Sequence, residues 1–239
     1  MKSINNRICL LGGWAVYHSV NNSFFNKKNR PYLGSHDIDF GIYIKPMMSK
    51  TKLTSSTLFK IIHLLESEDF QVDGIRYRKD ITYVTKDEKE SFPLYIDIIV
   101  NSYPPSYSDI IPQYFFEEPL LEEIYRNRQN QVEIPQISHH LFMPIPEILS
   151  AIKIRCISGR DIYHKRVKDL CDLYSLLFYS PKSFQSTVEG LKKYIAPDTV
   201  KQVKGIIDEK LMRESEEIIG EPPGSMNTVI SNLFNEFEI

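Results

Sequence analysis

Two hydrophobic periods divide the chain. In its first part apolar residues recur at every second position, and nowhere more strictly than across His36-Asp37-Ile38-Asp39-Phe40-Gly41-Ile42-Tyr43-Ile44. Ile38, Phe40, Ile42 and Ile44 share one face; Asp37, Asp39, Gly41 and Tyr43 share the other, the pattern of a half-buried strand. Upstream, Ile8-Cys9-Leu10-Leu11 is a short apolar run stopped by Gly12-Gly13, which predicts a buried strand ending in a tight turn. Trp14 to about Val20 predicts a helix, and Asn21 to Gly34 a polar loop. Leu58, Ile61, Ile62 and Leu65 lie at helical spacing and predict a helix from Thr57 to about Ser67. Extended runs at 75–85 and 92–100 flank the charged stretch 86–91 and predict a hairpin. In the second run Leu94, Ile96, Ile98 and Val100 share a face, and Tyr95, Asp97 and Ile99 share its opposite.

Beyond Val100 the pattern changes. Pro104, Pro105, Pro112 and Pro119, set among aromatics, predict an irregular crossing segment and a lobe boundary. Pro144 and Pro146 then introduce a helix through Ile157, proline being tolerated in a first turn. A second helix is predicted over 163–179, with an apolar stripe of Val167, Leu170, Cys171, Tyr174, Leu177 and Phe178. Two or three more helices would fill 182–239. The expected organisation is α+β: a sheet-bearing lobe over 1–101, a crossing segment over 102–143 and a helical lobe over 144–239.

Composition narrows the classes. The 239 residues are 42% apolar and 25% charged, so disordered and fibrous classes are excluded. A net charge of −2 supplies no global field for nucleic acid or an anionic membrane. No apolar stretch approaches the length of a membrane span, and the N-terminus lacks a signal-peptide pattern. Cys9, Cys156 and Cys171 are too few and too scattered for a disulfide framework or a CxxC zinc site, and a reducing cytoplasm is expected. The histidines at 18, 36, 63, 139, 140 and 164 show no metal-ligand spacing.

The chemistry concentrates in the acidic strand. Asp37 and Asp39, two apart, emerge from one face about 6–7 Å apart. Like charges so placed repel unless a cation lies between them. Asp97 is again the charged member of an apolar alternation; if its strand neighbours that of Asp37, three carboxylates converge. Such all-oxygen ligation suits Mg²⁺ or Mn²⁺ better than zinc. Gly12-Gly13 sits where a strand turns into a helix, a place where backbone amides can approach an anion. Together these are the parts of phosphoryl or nucleotidyl transfer. Blander readings stand beside each: exposed acids on a half-solvated sheet, a simple glycine turn, and aromatics over 103–114 that pack on the sheet instead of stacking a base. Residues 153–168 carry five net positive charges. They read either as a solvated helical face or as a patch for triphosphate or RNA. Asp169 and Asp172 could pair with Lys165 and Lys168 one turn away.

Three ordered blocks resemble the polymerase-β-type nucleotidyltransferase superfamily: Leu11-Gly12-Gly13-Trp14-Ala15-Val16, Gly34-Ser35-His36-Asp37-Ile38-Asp39-Phe40, and Tyr95-Ile96-Asp97-Ile98. Within it, Pro146-Glu147-Ile148-Leu149 with Lys153, and Lys168-Asp169-Leu170-Cys171-Asp172-Leu173, are similar to the AbiEii-like and other minimal nucleotidyltransferases. The resemblance spans roughly 8–100 and 144–180. Relatives often place an arginine four residues before the first aspartate; this chain has Leu33 there, and its nearest arginine is Arg30.

The resemblance implies a polymerase-β-like mixed sheet flanked by helices and followed by a helical C-terminal lobe. It implies transfer of a nucleoside monophosphate from an NTP to a hydroxyl, with pyrophosphate released. Asp37 and Asp39 would hold two Mg²⁺ or Mn²⁺ ions, and Asp97 would ligate the one that activates the attacking hydroxyl. Gly12, Gly13 and Ser35, with Lys153 and Lys168, would bind the nucleotide. The acceptor would be an RNA 3′ end or a protein, and an antitoxin-type partner or a second copy of the chain is a further expected associate; no membrane is. Two alternatives stand: an antibiotic-type small-molecule adenylyltransferase, which the Gly-Gly-Trp-Ala run also resembles, and a non-catalytic nucleotide-binding component of a toxin–antitoxin pair.

Overall fold

The computed structural model describes residues 7–46, 48–84, 89–102, 110, 115–134 and 141–239. The expected hairpin tip, the prolines 104, 105 and 112, the aromatics of 103–114 and the 139–140 histidine pair lie outside the described residues. Those that are described fall into two compact units. One comprises residues up to Gly12 together with those of 35–143; the other comprises 13–34 and 144–239.

The first unit is built on a mixed sheet. Its strands are β1 (Ile8–Leu10), β2 (Asp37–Ile42), β3 (Gln71–Asp73), β4 (Arg76–Val84), β5 (Lys89–Val100), β6 (Phe116–Glu117), β7 (Gln131–Glu133) and β8 (Leu141–Pro144). They run in the order β3-β4-β5-β2-β1-β8-β7, with β6 beside the end of β5. The β2/β5, β1/β8 and β5/β6 pairs are parallel, while β1/β2, β3/β4 and β4/β5 are antiparallel. The expected hairpin is thus the β4/β5 pair.

Alternation decides which face is buried. Ile42, Ile44, Tyr77, Ile96, Ile98 and Val100 pack with Leu58, Ile61, Ile62 and Leu65 of α3 (Thr57–Ser67), and Ile38 and Phe40 rest against this core partly buried. A short helix, α2 (Lys50–Thr54), adds Leu53. Buried Asn101 bridges the strand ends: its amide donates to the Ile44 carbonyl at 3.1 Å, and its carbonyl accepts from the Ile44 N–H at 2.7 Å. On the opposite face, α4 (Leu120–Arg126) covers the Gly41 end of β2. A Cβ on Gly41 would stand 2.5 Å from Leu121 Cδ2, and the Tyr125 hydroxyl donates to the Gly41 carbonyl at 2.8 Å.

The second unit is helical: α1 (Gly12–Lys28), α5 (Pro146–Gly159), α6 (Tyr163–Phe178), α7 (Phe184–Leu191), α8 (Pro197–Ile206), α9 (Glu209–Ile219) and α10 (Ser225–Glu236). Helix α1 continues through Lys28 where the Asn-rich composition predicts a loop from Asn21. Val16, Val20 and Phe24, four apart, are all fully buried, and Phe24 packs edge-on against Tyr32 and Tyr179. The Asn21 side chain accepts from the Tyr32 N–H at 2.8 Å, so a residue read as loop-forming pins the returning chain instead. Four helices, not two or three, fill 182–239. Each junction has its own local signal: Ser183 and Asp208 cap α7 and α9, Pro197 opens α8, and Gly220 at φ +70° ends α9. Helix α6 buries its predicted stripe apart from Phe178, which is exposed beneath the Lys27 amine. Cys9 and Cys171 are buried and unbridged. No described helix is long and apolar enough to cross a membrane.

Candidate functional site

Parallel pairing of β2 with β5 sets Asp39 opposite Asp97, and Asp37 opposite Tyr95. Because the apolar alternates of both strands are committed to the α3 side, Asp37, Asp39, Tyr95 and Asp97 must share the other face. The two alternating strands are neighbours, and their register puts the three aspartates on one face of the sheet.

The turn after β1 is fitted to this face. The Leu11 N–H donates to the Asp39 carbonyl at 2.9 Å, extending the β1/β2 ladder by one residue. Gly12 then turns at φ +60°, and a Cβ there would fall 1.7 Å from Asp39 Oδ2. Glycine is required twice over, by the left-handed backbone and by the carboxylate it faces. Gly13 is buried in the first turn of α1. The Ser35 hydroxyl donates to Asp37 Oδ1, which fixes the rotation of that carboxylate.

A further residue completes the patch, and nothing in the hydrophobic pattern singles it out. Arg76 opens β4 one position beyond the Tyr77–Ile96 pair, which places it across from Asp97. Its Nε donates to Asp97 Oδ1 at 2.8 Å, and Nη2 donates to Asp97 Oδ2 at 2.6 Å and to Asp37 Oδ2 at 3.0 Å. The guanidinium carbon lies 4.5 Å from the centroid of the Tyr95 ring. The Asp97 side chain retains 7% of its exposure, while those of Asp37 and Arg76 keep 32% and 25%. Burial alone would raise the Asp37 pKa; the Ser35 and Arg76 hydrogen bonds overcome it and hold the carboxyl below its ordinary value. Bonding to Asp97 drives the Arg76 pKa upward. Among the described residues, no three acidic, histidine or cysteine side chains stand close enough together to ligate one ion.

Lys153 and Lys168 belong to a cluster within the helical unit. Lys153, on α5, places Nζ 2.8 Å from Asp169 Oδ1 and 2.7 Å from Asp172 Oδ2, both on α6. Lys168 pairs with Asp172 one turn along α6, as the sequence spacing allows. The Tyr32 hydroxyl donates to Asp172 Oδ1 at 2.8 Å, and Arg160 Nε lies 3.0 Å from Asp169 Oδ2. Burial would discharge both Lys153 and Asp172. Their mutual attraction wins, so the lysine pKa is raised and the aspartate pKa is lowered. Much of the positive charge over 153–168 is thus answered by Asp169 and Asp172. The i, i+4 spacing offers Asp169 to Lys165 and Asp172 to Lys168; the second pair forms, while Asp169 is held by Lys153 and Arg160, which that spacing does not point to.

No family model matches the chain, and no curated protein matches it. Among solved structures it is similar to an antigenic nucleotidyltransferase-like protein from Paracoccidioides brasiliensis. The identity is 14%, with 84% of this chain and 85% of that one covered and a TM-score of 0.39. A likeness this slight carries no weight for the chemistry.

Proposed function

We propose that the chain is a divalent-metal-dependent nucleotidyltransferase, moving an NMP from an NTP to an acceptor hydroxyl on RNA or protein with release of pyrophosphate. The observation that carries the reading is the β2/β5 register, which sets Asp39 beside Asp97 and puts Asp37 on the same face. The donor set is of the chemistry that suits Mg²⁺ or Mn²⁺: three carboxylates on one face, oxygen ligands only, with Asp37 and Asp39 partly exposed. The patch already attracts a cation, since the Arg76 guanidinium lies against Asp37 and Asp97. Asp37, Asp39 and Asp97 would hold the metal, which when bound supplies charge neutralisation at the phosphates and a more acidic attacking hydroxyl.

The chain's own groups have assignable tasks. Ser35 Oγ orients Asp37 through its hydrogen bond to Oδ1. Gly12 keeps the space that Asp39 Oδ2 occupies, so the turn after β1 can lie against that carboxylate. Asp97 would accept the proton of the attacking hydroxyl at a carboxylate oxygen. Any phosphate contact by Lys153 or Lys168 would compete with the carboxylates that already hold their amines.

One observation favours a second reading. Arg76 gives Asp37 and Asp97 a counter-charge without any ion, as suits a domain that binds a nucleotide but does not transfer it. Transfer from each of four α-labelled NTPs, with Mg²⁺ or Mn²⁺, separates the two. Bulk RNA, protein lysate and aminoglycosides are the acceptors, and Asp37→Asn/Asp39→Asn is the control. Label on RNA or protein that the control abolishes supports the first reading, and label on an aminoglycoside points to the antibiotic-type enzyme. Metal-dependent nucleotide binding without transfer to any acceptor supports the second.

A further inference from the structure

Arg76 gives the acidic face a counter-charge from the chain itself. A carboxylate face of this kind, left alone, would set three negative groups against one another across two adjacent strands. Here one guanidinium spans two of them, using the Nε/Nη2 fork on both oxygens of Asp97 and the same Nη2 on Asp37 Oδ2. Such two-point contacts are the strong form of arginine–carboxylate pairing. The ring of Tyr95, register partner of Asp37, gives the guanidinium a flat surface to lie on.

We propose that Arg76 is the resident counter-ion of this face, and that a divalent cation binds Asp37 and Asp97 by displacing it. The inference rests on the nucleotidyltransferase reading and adds a control of metal affinity to it. Asp97 has two oxygens, and both are engaged by Arg76. Its side chain is almost fully buried, so little of its carboxylate is left open to an ion while the fork is in place. Nor can a guanidinium and a divalent ion share two carboxylates without strong like-charge repulsion. The two cations are alternatives. Arg76 can give way because a quarter of its side chain is already exposed at the start of β4, so it has solvent to move into. Metal affinity in the absence of nucleotide is therefore weakened by the competition, and removing the competitor strengthens it.

The test is Mn²⁺ binding to the full chain without nucleotide, by calorimetry or by loss of the free-ion paramagnetic signal. Wild type is compared with Arg76→Gln, Arg76→Lys and Asp37→Asn. The expected result is at least about tenfold tighter Mn²⁺ binding by Arg76→Gln, a factor set by loss of a charged competitor. Arg76→Lys, which keeps the charge but cannot fork across Asp97, falls between the two. Thermal melts supply an independent readout: Arg76→Gln melts below wild type without metal, and Mn²⁺ raises its midpoint by more than it raises that of wild type. Should Arg76→Gln fail to fold, Arg76→Lys alone must still bind Mn²⁺ more tightly than wild type. If wild type binds Mn²⁺ in an Asp37-dependent way and neither Arg76 variant binds it more tightly, the displacement is overturned while the metal site stands. If none of the proteins binds Mn²⁺, the metal-site reading falls and takes the displacement with it.

Discussion

Asp39 and Asp97 are register partners on two parallel strands, 58 positions apart in the chain and side by side in the sheet. Both strands alternate, and both spend their apolar residues on the same core. The pairing therefore fixes the face of each aspartate as well as its position. A slip of one residue in either strand would send a carboxylate into the packing around α3.

Gly12 should be the least replaceable residue of the turn. Gly12→Ala meets a strained φ, worth about 1–2 kcal/mol, and in addition a carboxylate oxygen 1.7 Å from the new carbon. Gly74 provides the comparison, with φ +64° and open space around its Cβ position. Urea denaturation should show Gly74→Ala losing only the backbone cost, about 1–2 kcal/mol, and Gly12→Ala losing more. Equal losses would mean that Asp39 moves aside freely.

In the helical unit, Lys153→Met leaves Asp169 and Asp172 buried with a principal partner removed. The expected loss is about 3–5 kcal/mol, the usual cost of an uncompensated buried charge. Lys168→Met removes a partly exposed amine from one of the same carboxylates, and about 1 kcal/mol or less is expected. Chemical denaturation of the two variants decides between a buried keystone and two interchangeable surface pairs.

The pH dependence follows from the same cluster. The Asp172 pKa is depressed in the folded chain, so its stabilisation is complete above the ordinary value of 3.8 and is lost as pH falls through the lower folded value. Lys153 runs oppositely: its contribution is complete below 10.5 and is lost only as pH rises through a still higher folded value. Between those limits neither group makes stability change with pH. Urea midpoints measured from about pH 7 down to about pH 2 should fall less steeply for Asp172→Asn than for wild type.

Asn101 should matter to the site through the strand ends alone. Asn101→Leu strands the N–H and C=O of Ile44 in a buried place, at about 1–3 kcal/mol for each group. A hydrogen-exchange experiment should find the loss of protection concentrated at the ends of β2 and β5.

Much of this face is legible in the sequence alone. The alternation at 37–44 assigned each residue of β2 to its face, and that around Asp97 did the same for β5. Adjacency of the two strands was a condition the sequence could pose but not resolve, because pairing between distant segments leaves no local trace. Arg76 was invisible for the same reason: its meaning comes from lying one step past Tyr77–Ile96 in the β4/β5 ladder. The resemblance singles out Lys153, yet its two aspartate partners lie on the next helix, where the i, i+4 spacing offers them nearer lysines. The sequence predicts a shorter α1 because Asn21 and Asn22 are poor helix formers, whereas burial of Val20 and Phe24 outweighs their preference.

The central claim is that the Asp37–Asp39–Asp97 face transfers a nucleotide. The most direct measurement follows α-labelled and γ-labelled NTP in parallel, with Mn²⁺ and the RNA and protein acceptors, for wild type and Asp97→Asn. The account predicts that wild type places the α-label on an acceptor and releases the γ-label in pyrophosphate. Asp97→Asn should be at least about a thousandfold slower, equivalent to roughly 4 kcal/mol of lost transition-state stabilisation. Transfer undiminished in Asp97→Asn, or γ-label on the acceptor, would contradict it.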